Sequence, residues 1–293
     1  MKLAYRLNSY LNAIGVGDIE FLHGVKLKGK HLMIRLLAHD NLVLIKVNGL
    51  PIYIYANTDD TFAYLVRPFE PYTTELFEQA IKPGSKVLDI GAQFGYFSLI
   101  AAKQSGQEGR VYAFEPAPDN FRLLDRNIQM NWYTDIIHAV QKGVGNRHTT
   151  ETLFLYESSD SHGMFRQPSA SVKETISIEC ITIDEFLGGQ PVDVIKIDIE
   201  GNEPYALEGM KQTISKNDNI IMFVEFAPAF LRRAGVKPED YLAQIRGLGF
   251  DVQLIDEHSR CLKPVPSDSF DEVDPSWYAN LYCTKNRQGL YFP

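Results

Sequence analysis

The sequence predicts an α/β protein with a doubly wound, mostly parallel sheet and a small N-terminal β-rich extension. Three observations predict it. From residue 85 onward, short apolar runs alternate with helical segments, the pattern of βαβ units laid side by side. The first of these units holds Gly91 and Gly95 in the turn after its strand. Its second strand ends on an acid, Glu115, about twenty residues beyond those glycines, the layout of a nucleoside-binding unit.

Size and composition agree with that class. The 293 residues suit one large α/β domain with an extension, and 45% hydrophobic with 23% charged residues is a globular composition. A formal charge of -8 and the lack of a basic stripe argue against nucleic acid as a partner. Cys180, Cys261 and Cys283 are odd in number and widely spaced, which fits buried thiols in a reducing compartment better than disulfides or zinc. No run approaches the ~18 apolar residues of a membrane span, and the N-terminus lacks an apolar signal core, so a cytoplasmic location is expected.

The elements follow in order. Leu3, Leu7, Tyr10, Leu11 and Ile14 fall at helical spacing within residues 1–25, and Gly15 and Gly17 end the helix. Such a helix packs on its own domain or on a sister subunit, so a homo-oligomer through this extension is one expectation. Short β-type runs follow at 31–37, 42–47 and 51–56, with Asn48-Gly49 as a hairpin turn. A helix is predicted over 73–81, closed by Pro83-Gly84. Strands are then predicted at 86–90, 110–114, 136–142, 192–197, 219–226, 250–256 and 278–284, with helices at 96–103, 118–130, 203–214 and 238–248. Only a Pro/Ser/Asp-rich loop, 263–276, separates the last two strands, so they should pair antiparallel. The runs 151–156 and 175–183 read as a second small hairpin, joined by a polar loop.

Ligands of doubly wound sheets bind beyond the carboxyl ends of the strands. Four predicted strands end in acids there: Asp89, Glu115, Asp198 with Glu200, and Glu225. Like charges gathered at one rim call for a cation or hydrogen-bond donors. The turn itself, Asp89-Ile-Gly-Ala-Gln-Phe-Gly95, lacks the GxGxxG spacing and places an acid before its first glycine, which would repel a pyrophosphate. S-adenosylmethionine, with a sulfonium and an ammonium and no phosphate, suits it. On this reading Glu115 takes the ribose hydroxyls, followed by Pro116, and Asp89 lies near the amino-acid end of the cofactor. The backbone of Gly91, Gln93 and Gly95 lies against the ligand, with Tyr96 and Phe97 as pocket walls.

The second signal is Val194-Ile-Lys-Ile-Asp-Ile-Glu-Gly201, in which Lys196, Asp198 and Glu200 share one strand face. Three charges along the middle of a buried strand are not tolerated, so they are expected at its open end. Methyl transfer asks for alignment and a base rather than a covalent nucleophile. The candidate bases are Asp198, Glu200, Glu225 and His162. No metal is expected, because metal sites normally offer more ligands than this.

These motifs resemble the FkbM-type family of class I S-adenosylmethionine-dependent methyltransferases. The matching stretches are residues 87–98, 111–121, 181–186, 193–201 and 224–226, with Phe69-Glu-Pro-Tyr72 upstream. The resemblance implies a Rossmann-like seven-stranded sheet whose last strand is antiparallel. It implies O-methylation of a hydroxyl on a sugar, glycolipid precursor or secondary metabolite, and it places Asp89, Gly91, Gly95 and Glu115 on the cofactor with Asp198 near its methionine end. The chain departs from the family pattern at Gln93, where asparagine is usual, and at Gly143-Val-Gly-Asn146. Residues 1–82 are then the extension, 83–285 the methyltransferase domain and 286–293 a tail. An NAD-dependent oxidoreductase and a methyltransferase-like binding module without catalysis are the alternatives.

Overall fold

The computed structural model describes residues 42–56, 69–156, 161–168, 170–266, 270 and 273–285. The expected N-terminal helix, the run 31–37 and the tail 286–293 lie outside the described residues. Strands β1 (Leu42–Val47) and β2 (Leu50–Tyr55) are followed by α1 (Pro71–Ala80), β3 (Lys86–Ile90), α2 (Tyr96–Ser105), β4 (Arg110–Phe114), α3 (Pro118–Met130) and β5 (Ile137–Val140). Next come β6 (Gly143–Val144), β7 (Thr149–Leu155), β8 (Glu174–Ile181), α4 (Ile183–Leu187), β9 (Val194–Ile197), α5 (Glu203–Glu208) and α6 (Lys211–Ser215). The chain continues through β10 (Ile221–Phe226), α7 (Pro228–Arg233), α8 (Pro238–Gly247), β11 (Phe250–Asp256), β12 (Cys261–Pro264) and β13 (Ala279–Lys285).

The central sheet runs β12-β11-β13-β10-β9-β3-β4-β5. Its five strands from β10 to β5 are parallel, while β13 is inserted antiparallel between β10 and β11. Alternate residues feed two cores. Val87, Val194 and Phe223 face one side with the β1–β2 hairpin, α2 and α3; Leu88, Ile195 and Val224 face the other with α5, α6 and α8. All six side chains are fully buried, and each contributes roughly 1.5–3 kcal/mol by leaving water. That is the doubly wound, Rossmann-like fold the alternation predicts, and β11 and β13 pair antiparallel as expected.

The sheet has eight strands rather than seven. The extra strand, β12, hairpins onto β11 at the edge, from Asp256 opposite Cys261 to Gln253 opposite Pro264. It is four residues long and ends on proline, as edge strands often do, and carries too little pattern to be read. The helix predicted over 203–214 splits in two at Gly209. Gly209 and Met210 leave helical backbone angles there, and a Cβ on Gly209 would stand 2.0 Å from the Gly145 carbonyl oxygen, so this point lies in direct backbone contact with the β6 side. The short helices α4 and α7 escape periodicity because five or six residues hold less than two turns. The smaller sheet, β6-β8-β7, contains the predicted second hairpin with β6 added parallel to β8.

The β1–β2 hairpin turns at Asn48-Gly49, both with positive φ. It lays Val43, Ile45, Ile52 and Ile54 onto the same core as α2 and α3. Asn127 of α3, fully buried, clamps it: its Oδ1 accepts from the Tyr53 amide at 2.8 Å, and its Nδ2 donates to the Tyr53 and Phe94 carbonyls at 2.9 and 2.8 Å. No helix among the described residues is long and apolar enough to cross a membrane.

Candidate active site

Beyond the carboxyl ends of the parallel strands lies a cavity of about 730 Å³. Asp89, Glu115, Asp198, Glu200 and Glu225 all line it, together with Gly91, Gln93, Tyr96, Phe97, Pro116 and His162. Gly95 does not. It opens α2 with φ 96°, and an added Cβ would stand 2.8 Å from a methyl of Leu124. The left-handed backbone and the packing of α2 on α3 both disfavour a side chain at that position. Gly91 is likewise constrained by protein. Its φ is 88°, and a Cβ would sit 1.8 Å from the Asp198 carbonyl oxygen, so the turn after β3 rides directly on the end of β9.

That contact joins the two halves of the site. On the β3–β4 side, Glu115 is 6% exposed, and its carboxylate accepts from the Gln93 amide at 2.9 Å and the Ala117 amide at 2.8 Å. Burial nevertheless pushes its pKa up to about 7, against the lowering effect of those amides. Asp89 is buried, accepts from the Ser98 hydroxyl at 2.5 Å, and is raised by burial to about 6. It stands in register with Lys196 on the neighbouring strand. Tyr96 is held by Thr74 and the Phe69 carbonyl, so its hydroxyl ties α2 to α1 while its ring faces the cavity.

On the β9–β10 side Lys196, the penultimate residue of β9, lines the cavity at the strand's open end as expected, but it is 1% exposed, above the ring of Phe97. A buried lysine is tolerated because its long stem spans the apolar layer and its ammonium is bonded at the rim. It donates to Asp198 at 2.8 Å and to the Asn280 Oδ1 at 3.3 Å. Asp198 and Glu200 follow the strand in a turn built by its own sequence. Glu203 accepts from the Ile199 and Gly201 amides at 2.9 and 3.2 Å, and Asn202 donates to the Val144 carbonyl at 2.8 Å. Glu200 takes φ 59°, an uncommon value for a side-chain-bearing residue, and Gly201 takes 101° where a Cβ would meet the Phe230 carbonyl at 2.7 Å. The run Asp198-Ile-Glu-Gly-Asn-Glu203 is thus a clasp that aims its first and third residues into the cavity.

Glu225, at the end of β10 and 9% exposed, is pushed well above the usual carboxylate range by burial and by Asp198, Glu200 and Glu203. One carboxylate oxygen from each of Asp198, Glu200 and Glu225 lies within 4.8 Å of the others. The expectation that no metal has ligands here therefore meets a cluster of the right residue types. His162 lines the same cavity, and its Nδ1 accepts from the Tyr156 amide at 3.2 Å. A ring nitrogen that accepts from an amide leaves the neutral imidazole protonated at Nε2, so that edge donates rather than takes a proton.

Sequence reasoning missed two polar residues at this end. Glu70, with φ 41°, lines the cavity and is raised by burial to about 7. Asn280 stands opposite Glu225 in β13 and receives Lys196. A buried asparagine within the apolar run of β13 is the signal that could have flagged the second. The first lies in Phe69-Glu-Pro-Tyr72, where nothing local sets the glutamate apart. Phe230, Trp277 and Tyr278 complete an aromatic wall near the acids.

A Rossmann-like sheet whose glycine turn faces an acid-lined pocket is the frame for a nucleoside-bearing cofactor. Residues 89–252, more than half of the chain, match the methyltransferase FkbM domain. The protein belongs to that family, and S-adenosylmethionine is the cofactor that goes with this family and fold. It is similar to methyltransferase sdnD of Sordaria araneosa, 23% identical over 241 residues, covering 71% of this chain and 89% of that one. Hexuronic acid methyltransferase AglP of Haloferax volcanii is 26% identical over 155 residues, covering 52% and 57%. Among solved structures, methyltransferase FkbM from Methylobacillus flagellatus aligns with a TM-score of 0.44 at 19% identity, over 72% of this chain and half of that one. Membership in this family displaces the oxidoreductase alternative.

Proposed function

We propose that the protein transfers the methyl group of S-adenosylmethionine to a hydroxyl oxygen of a small acceptor, a sugar, glycolipid precursor or secondary metabolite. The observation that carries this reading is the division of one cavity into two acidic ends. At the first, Glu115 is oriented by two backbone amides and takes the ribose hydroxyls, with Gly91, Gln93 and Pro116 along the nucleoside. Asp89 lies toward the methionine end, and Lys196 offsets the charge of its neighbours. At the second, Asp198, Glu200 and Glu225 meet the acceptor hydroxyl, and its proton leaves to a carboxylate of that end. His162 serves as a donor to the acceptor rather than as the base, because its Nδ1 is already engaged. Aromatic rings beside carboxylates suit a sugar, whose C–H face packs on the ring while its hydroxyls donate. AglP, named for a hexuronic acid, adds support for a carbohydrate acceptor. In the chain as a whole, residues 83–285 act as the catalytic domain and 1–82 as its extension.

The test is calorimetric titration with S-adenosylmethionine, followed by transfer of labelled methyl to a panel of sugars, uronic acids and sugar-lipid precursors. Binding of the cofactor and labelling of an acceptor oxygen are expected. Cofactor binding with no transfer to any hydroxyl compound, but transfer to an amine panel, would overturn the O-methylation reading.

A further inference from the structure

Among the described residues, the acceptor end of the cavity holds a cation that no carboxylate claims. Arg233 closes α7, lines the cavity and is half-buried, with its guanidinium over the ring of Phe230, 4.6 Å from the centroid. Its Nη1 is buried and finds no hydrogen-bond partner, and no described acid forms an ion pair with it. Lys196, by contrast, spends its ammonium on Asp198 and Asn280. A guanidinium is a fork of N–H donors, and buried donors left unbonded cost free energy unless an acceptor arrives from outside.

The backbone fixes where that fork stands. The Phe230 carbonyl lies against Gly201, where a Cβ would meet it at 2.7 Å, so α7 rides on the clasp that carries Asp198 and Glu200. The Tyr205 hydroxyl donates to the Ala234 carbonyl at 3.0 Å and ties the end of α7 to α5. The Phe230 ring then holds the guanidinium by cation–π contact. Trp277 and Tyr278 line the same cavity. A fixed planar fork beside aromatic rings complements a sugar ring that carries a planar anion.

We propose that Arg233 sets acceptor specificity by receiving a carboxylate of the acceptor, so that the compound methylated here is an acidic sugar of the uronic acid class. This deepens the methyl-transfer reading and rests on it for there being an acceptor at this end. Two considerations select carboxylate over phosphate. Carboxylate and guanidinium are both planar and meet through paired N–H···O bonds. Asp198, Glu200 and Glu225 line the same cavity, so a singly charged group meets less repulsion than a doubly charged one. Lys196 offsets part of that acidity, and the sulfonium and ammonium of the cofactor offset more. Seated on Arg233, the carboxylate fixes one end of the sugar and leaves its hydroxyls to the acids.

The experiment uses the full chain saturated with S-adenosylhomocysteine and titrated calorimetrically with methyl glucuronoside, methyl galacturonoside, methyl glucoside and glucose 6-phosphate. At least one uronide should bind at least about tenfold more tightly than methyl glucoside, the scale of a charged hydrogen-bonded pair. Arg233→Gln should abolish that preference while leaving affinity for methyl glucoside and S-adenosylhomocysteine within about twofold, and Arg233→Lys should restore only part of it. Unchanged S-adenosylhomocysteine binding in the variants also reports that they are folded. Uronides that bind no better than methyl glucoside would overturn the proposal, as would a preference that survives Arg233→Gln. Tighter binding of glucose 6-phosphate than of either uronide would overturn the carboxylate assignment. Loss of S-adenosylhomocysteine affinity in a folded Arg233→Gln protein would place Arg233 on the cofactor's own carboxylate and overturn the proposal too. If wild-type protein binds S-adenosylhomocysteine but no uronide, this inference alone fails. If it does not bind S-adenosylhomocysteine, the methyl-transfer reading fails and this inference with it.

Discussion

The two ends of the cavity use carboxylates in opposite ways. Glu115 sits in a socket of backbone amides contributed by residues two positions away and by the glycine turn. Glu225 sits among other acids, with one oxygen lacking any donor among the described residues. On the proposed reading, the remaining lone pairs of the first are left for the ribose diol. The second keeps a buried oxygen that no described residue satisfies. A site can thus be rigid at one end and chemically hungry at the other, although both ends are built from the same residue type.

The sharpest way to break this comparison is to disturb the point where the two ends touch. Gly91→Ala would drive a methyl group into the Asp198 carbonyl and force a side chain into a left-handed backbone. We expect a loss of about 3 kcal/mol or more in urea unfolding, from overpacking and backbone strain together. Wild-type stability in that variant would mean the turn and β9 are not locked together. Next in size, Glu115→Ala should weaken cofactor binding by about 1.5–3 kcal/mol, the scale of a hydrogen bond to a charged group, read by calorimetry. Unchanged affinity in a folded variant would remove Glu115 from the ribose.

The smallest effect is on pH. Burial raises Glu115 from 4.5 to about 7 in the folded protein, so between those values the native state holds a proton that the unfolded state has released. Its contribution to stability is therefore full below pH 4.5 and is lost as the pH rises through 7. Ribose hydroxyls need the ionised form, so cofactor affinity should move the other way and increase several-fold from pH 6 to pH 8. Glu115→Gln should flatten the affinity profile; a profile that stays steep would assign the titration to another group.

The same contrast explains what could be read in advance. The cofactor end is local. Asp89, Gly91 and Glu115 belong to one βαβ unit, so their spacing along the chain encodes their arrangement in space. The acceptor end is assembled from distant pieces: Glu70 before α1, Asp198 and Glu200 after β9, Glu225 in β10 and Asn280 in β13. Acids at strand ends were visible because the parallel sheet gathers them, but Glu70 and Asn280 needed tertiary pairing to be seen. The place of Lys196 at the end of β9 is legible but its burial is not, because a rule against buried charge does not foresee a lysine whose stem crosses the apolar layer to an acid. Gly95 is legible as special from the turn, while the Leu124 methyl that lies across the space of its missing side chain is not. Likewise β12 and the two short helices carry too few residues for periodicity to speak.

Asn127 has a further consequence. One amide side chain grips both the early hairpin and the Phe94 carbonyl, which belongs to the loop whose neighbouring amide orients Glu115. Residues 42–56 therefore buttress the loop between β3 and α2, although they contribute no atom to the lining of the cavity. Trimming the chain back to the start of the Rossmann-like sheet would remove more than a decoration: it would take away one side of the clamp that holds that loop.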